Sequence, residues 1–188
     1  MARIITDKAQ MKEIMKDEAK ALVVRFCQLN NFEVPVLVVT KRRNAEVRSY
    51  TCEGYYKNGT NVVTVIPGNT IMDTDRSARY NLIDDTIYGT ILHEVGHYIH
   101  EHYLNWEVIP MGERAVSNYE PNNREVFAET FRLYLSNPHL LALWNPTRYS
   151  WMKAHFQKVK KTNWEATFNG VNPACVRSLK AALAAINN

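Results

Sequence analysis

The sequence is poor in cysteine. Its three, Cys27, Cys52 and Cys175, are odd in number and far apart, which excludes a disulfide framework and offers no zinc-cluster spacing. They read as reduced thiols of an intracellular protein, with Cys27 and Cys175 as small core residues. Long apolar runs are also missing. The first twenty residues, MARIITDKAQMKEIMKDEAK, return to charge at once, so neither a signal peptide nor a membrane anchor is expected. No later stretch stays apolar long enough to span a bilayer. The expected place is the cytoplasm, with a non-classical export route or delivery inside a larger particle, such as a phage virion, as the alternatives. Charge of one sign is scarce too. The net charge is +4, and the basic clusters Lys41-Arg42-Arg43 and KVKK at 158–161 are short. A nucleic-acid module needs a longer basic face interleaved with exposed aromatics, so no nucleic-acid partner is expected.

What is present belongs to an ordinary folded protein. Low-complexity tracts and internal repeats are absent, and 188 residues with 46% hydrophobic and 22% charged content suffice for one soluble domain with its own core. Met11, Met15, Ala19, Leu22, Phe26 and Leu29 recur at steps of three and four, which predicts an amphipathic helix over 7–30 with Asp7 as its N-cap. VPVLVVT (34–40) reads as a buried strand, AEVRSYTCEGYY (45–56) as a second strand and NVVTVI (61–66) as a third. Asn58-Gly59 marks a turn, and Pro67-Gly68 stops the third strand. The three predict a small, mainly antiparallel sheet joined by hairpins. From Asp84 or Asp85, as cap, Ile87, Ile91, Val95 and Ile99 recur every fourth residue. Asn122 or Asn123 can cap REVFAETFRLYL, which Asn137-Pro138 stops. TRYSWMKAHFQKVKK (147–161) and PACVRSLKAALAAI (173–186) predict two more helices. Trp144, Trp151 and Trp164 are expected as buried or rim aromatics. The order, helix then sheet then helices, gives an α+β class in one domain over 1–188.

The chemistry concentrates in HEVGHYIHEH, residues 93–102, which holds four of the six histidines. His93-Glu94-Val95-Gly96-His97 has the form H-E-x-x-H. On a helix, positions i and i+4 face one way, so His93 and His97 can reach one ion. Neutral imidazole suits zinc, and two such ligands leave room for a third and for water. Glu94, beside the first histidine, can take a proton from a water acidified by the metal without itself being a ligand. Gly96 allows a close approach by another segment. By composition, H-E-x-x-H arises by chance in about one chain in a hundred of this length, so a third ligand is needed. His100 lies one turn further along the same rigid helix and is badly placed to close a tetrahedron with His93 and His97. His102 points elsewhere, towards solvent. The histidine-rich pattern H-E-x-x-H-x-x-G-x-x-H is absent, its glycine position being His100 and its last histidine Tyr103. EVFAE places Glu125 and Glu129 one turn apart on one helix face. One carboxylate can complete a His-His-Glu site and the other can accept the free N–H of a ligating histidine, and spacing alone leaves open which does which.

HEVGH followed by SNYEPNNREVFAETFRLYL (117–135) resembles the anthrax lethal factor-like zinc peptidases, which include the lethal factor catalytic domain and the Pro-Pro endopeptidases. That family has H-E-x-x-H, then a tyrosine, then E-x-F-A-E-x-F on the next helix, and the resemblance covers about residues 60–136. It implies a zincin-like metallopeptidase domain, one Zn2+ per chain and a protein or peptide substrate. Carried over, His93, His97 and Glu125 are the zinc ligands, Glu94 is the general base and Glu129 supports the ligands from behind. Tyr119 donates its hydroxyl to the oxyanion. It stands six residues before Glu125, a somewhat shorter spacing than in lethal factor, and Tyr103, Tyr134 and Tyr149 are its rivals. The resemblance also implies a strand that pairs with an extended peptide, for which NVVTVI is the candidate. Two alternatives remain. The peptidases that cleave phage repressors and stress-response regulators carry a similar histidine helix, but their second motif resembles E-A-N-x-F-A, which 125–129 does not match. The other is a structural or binding protein on a zincin scaffold, without turnover.

Overall fold

The computed structural model describes residues 8–40, 54–66, 87–117 and 119–157, and these form an α+β arrangement of five helices and a three-stranded sheet. Expectations for Asp7, Cys52, Asp84, Asp85, Trp164, Cys175, the helix at 173–186 and both basic clusters lie outside the described residues.

Helix α1 (Lys8–Asn30) buries Ala19, Val23, Phe26 and Cys27. The buried face is rotated from the expected stripe. Leu22 is half-buried and Leu29 exposed, while Val23 and Cys27 take the core positions. Phe26 packs edge-on against Phe131, with ring centroids 5.1 Å apart, and this fixes which face of α1 turns inward.

Strands β1 (Val36–Val39), β2 (Gly54–Tyr56) and β3 (Val62–Val65) line up in the order β1-β3-β2. β2 and β3 form the expected hairpin, turned at Gly59, whose φ of 72° is open to glycine at no steric cost. β1 runs parallel to β3, so the sheet is mixed rather than mainly antiparallel. Two further expectations are corrected. Among the described residues β1 lies at one end of the sheet, and Val36, Val38 and Val39 are exposed rather than buried. NVVTVI contains β3, the middle strand. Both of its hydrogen-bonding edges are occupied, by β1 and β2, so it has none left for a peptide.

Helix α2 (Ile87–Leu104) is central among the described elements. Ile87, Ile91, Val95 and Ile99 are all buried, as their spacing predicts. α2 packs on β2 and β3 on one side and on α1 and α3 (Asn123–Ser136) elsewhere. Gly96 makes the α2–α3 approach possible: a Cβ there would stand 3.0 Å from Ala128 Cα and 3.3 Å from Phe131 Cδ1. Asn122 caps α3, its side chain accepting from the N–H groups of Arg124 and Glu125 at 3.0 and 3.2 Å. Beyond α3 come α4 (Pro138–Trp144), absent from the sequence reading, and α5 (Pro146–His155). Each begins with Asn-Pro: Asn137 and Asn145 cap, and proline takes the first helical turn, where its missing N–H costs nothing. Among the described residues no helix is long and apolar enough to cross a membrane.

Candidate metal centre

α2 and α3 meet where H-E-x-x-H faces the glutamate helix. Nε2 of His93 and Nε2 of His97 are 3.1 Å apart. Oε2 of Glu125 stands 3.1 Å from the first and 3.4 Å from the second. Among the described residues this is the one group of three or more metal-ligating side chains that converges on a point. The triangle fits an ion. Bonds of about 2.0–2.1 Å in a tetrahedral zinc site separate ligands by about 3.3–3.4 Å. The chemistry of the three atoms also fits. Nδ1 of His93 faces Oε1 of Glu129 at 2.5 Å. In the neutral ring, a proton held there leaves Nε2 as a lone pair directed into the triangle, the state a metal would select. Oε2 of Glu125 is buried, with no partner beyond the two imidazoles that face it. With the His93 ring neutral, three electron-rich atoms at this spacing can hold a cation.

Burial opposes charge on His93, but Glu129 and Glu125 beside it push its pKa up to about 10 in the metal-free chain. Burial likewise opposes charge on Glu125, yet His93 and His97 hold its carboxyl down, at about 2. Glu129 is 1% exposed. Burial raises its pKa, and Arg132 and His93 more than offset this, so the net shift is downward. Glu94, also buried, moves the other way, since burial outweighs the pull of His93 and His97.

His100 is fully buried and turned away from the triangle, with Nε2 on the carbonyl oxygen of Glu107 at 2.8 Å and its ring stacked on Phe127. His102 is exposed and meets Tyr56 and the Thr60 carbonyl at the β2–β3 turn. Tyr119 stands beside the triangle, its ring centroid 6.1 Å from that of His93, and is 59% exposed. Its rivals are engaged elsewhere. Tyr103 stacks on Phe32 and accepts from the Glu33 N–H, Tyr134 donates to the Phe156 carbonyl, and Tyr149 packs against Tyr134.

Two contributors escaped the sequence reading. Arg132 donates to Oε1 of Glu129 at 3.3 Å, one turn along α3, and the i,i+3 spacing of Glu and Arg was the available signal. Gly54, on β2, lies against Glu94: a Cβ there would come within 2.9 Å of Glu94 Cγ, 3.1 Å of its Oε1 and 3.0 Å of the Thr64 carbonyl oxygen. No local pattern around Gly54 announces a contact that the fold makes across forty residues. No protein family, no curated protein and no solved structure matches this chain.

Proposed function

We propose that the chain is a zinc-dependent endopeptidase with a zincin-like domain, of the kind its motifs resemble. The observation that carries this reading is the triangle of His93, His97 and Glu125 at 3.1–3.4 Å with Glu94 on the adjoining turn of α2. His93, His97 and Glu125 hold the ion. Zinc, when bound there, supplies the Lewis acidity that activates water and polarises a peptide carbonyl. Glu129 holds the proton of His93 on Nδ1 and so keeps Nε2 free for the ion. Glu94 takes a proton from the attacking water on its carboxylate and passes it to the leaving nitrogen. Tyr119 donates its phenol hydroxyl to the oxygen on which charge develops.

Burying Glu94 to 7% exposure costs stability that His93 and His97 offset only in part, so its position beside the two candidate ligands favours a working role over a packing one. A site that held zinc only for stability has no need of it. The substrate in this reading is an extended peptide. β2, which among the described residues pairs only with β3 and whose Gly54 lies against Glu94, is the candidate strand for it.

The test is digestion of a peptide library, with cut sites read by mass spectrometry, by protein as purified, after chelation and after zinc is restored. The reading expects cleavage that chelation removes and zinc restores. Cleavage indifferent to chelation, or none from a fully zinc-loaded chain across the library, sinks it.

A further inference from the structure

The segment between α2 and α3 carries Tyr119 but has little regular structure of its own. It is gripped from one side by the corner where α4 meets α5. Asn145 Nδ2 donates to the carbonyls of Met111 and Arg114, at 3.0 and 2.5 Å. Trp144 Nε1 donates to the Ala115 carbonyl at 2.8 Å, and Thr147 to Glu113 at 2.8 Å. Gly112, at φ 65°, has no room for a Cβ because Asn145 fills that space.

The centre of the grip is an ion pair. Arg148, on α5, is fully buried. Its Nη1 and Nη2 reach the two oxygens of Glu120 at 3.0 and 2.9 Å, a bidentate pair, and Nη1 also reaches Thr130 of α3 at 3.2 Å. Its Nε donates to the Met111 carbonyl at 2.8 Å. Oε1 of Glu120 in turn accepts the N–H groups of Val116 and Ser117, at 2.8 and 3.2 Å, and the Ser117 hydroxyl oxygen accepts the N–H of Tyr119 at 3.0 Å. A chain of bonds therefore runs from α5 through Arg148, Glu120 and Ser117 to the backbone of Tyr119. Apolar side chains of the same bulk stabilise a fold about as well as a buried ion pair does. What a planar guanidinium on a carboxylate adds is direction, because both groups are fixed in one plane.

We propose that Arg148 and Glu120 are positioning residues, which hold the loop so that Tyr119 stands against His93 at the metal triangle. The consequence for catalysis rests on the peptidase reading above; the placement of Tyr119 does not.

The experiment places 3-fluorotyrosine at position 119 and loads the full chain with Co2+, whose occupancy is read from its visible absorption. Fluorine resonances are compared in wild type, Glu120→Gln and Arg148→Lys. The wild type is expected to give one line with a large cobalt-induced shift. In Glu120→Gln the shift falls by half or more and the line broadens, with cobalt occupancy unchanged. In parallel, Glu120→Gln lowers kcat about tenfold with KM little changed, and in a Tyr119→Phe background it lowers kcat no further, since its effect passes through that hydroxyl. A purely structural role predicts instead the same added loss in both backgrounds. Equal cobalt shifts in wild type and both variants overturn the proposal, as does a cobalt-loaded wild type whose fluorine does not shift. If Glu120→Gln does not fold, Arg148→Lys, which keeps the charge and loses the fork, decides the comparison. A normal cobalt shift with no peptide cleavage by wild type overturns the peptidase reading and leaves the placement standing. A chain that takes up no cobalt overturns the peptidase reading, and the placement is then decided by the fluorine line of the metal-free chain, which must shift and broaden in Glu120→Gln; an unchanged line overturns it.

Discussion

Nδ1 of His93 and Oε1 of Glu129 lie 2.5 Å apart, joining α2 to α3 behind the ligand triangle. The contact ties a fold requirement to a site requirement. It orients the imidazole and holds a proton on the side away from the triangle, and Arg132 helps keep the carboxylate charged so that it can do so. Glu129→Gln keeps the shape and removes the charge. It is expected to weaken zinc binding by about 10–100-fold, measured by competition with a chelator of known affinity. Zinc affinity equal to wild type would show that Glu129 merely packs.

Gly54 is expected to matter for turnover rather than for metal. In Gly54→Ala the new methyl displaces the Glu94 carboxylate, since Thr64's carbonyl blocks the other direction. Zinc affinity should stay within about twofold of wild type while kcat falls by about tenfold to a hundredfold, the cost of misplacing a reacting group by a fraction of an ångström to an ångström. An unchanged kcat means that the glutamate can move aside without consequence.

Gly96 is expected to matter for stability. Its missing Cβ leaves room for Ala128 Cα, and backbone yields less readily than a side-chain end. Gly96→Ala should destabilise the fold by about 1–3 kcal/mol, the usual range for overpacking, read from urea unfolding followed by tryptophan fluorescence. Stability equal to or above wild type contradicts the close helix approach.

Much of this was legible beforehand. The steps of four from Ile87 to Ile99 fix which face of α2 turns inward. His93 and His97 then share one face by geometry, and Asn122 starts α3 where Glu125 and Glu129 can reach them. What was not legible depends on contacts between distant segments. Val23 rather than Leu22 entered the core because Phe131 of α3 meets α1 at Phe26. The parallel pairing of β1 is invisible in a short β-branched run, which reads alike at an edge and in the middle of a sheet. α4 has a clear Asn-Pro start but only seven residues, too few for periodicity to register. Gly54 and Arg148 act on the site across long stretches of sequence, and neither belongs to a motif.

Cys27 provides a pH test of the core. Burial pushes its thiol up to about 11, so thiolate forms only as pH rises towards that value. The thiolate is the reactive form. Native protein at pH 8 should alkylate at Cys27 far more slowly than unfolded protein does, and the rate should climb with pH. Peptide mapping after iodoacetamide treatment reads this site by site. Equal rates in native and unfolded protein contradict the packing of α1.

The central claim is that Glu94 moves the proton at a zinc ion held by His93, His97 and Glu125. The most direct test compares peptide cleavage by wild type and Glu94→Gln with zinc content measured on the same samples. The account predicts about one zinc per chain in both and cleavage by wild type alone, with a loss of at least about a hundredfold in the variant. Equal cleavage by both, or wild type without zinc, contradicts it.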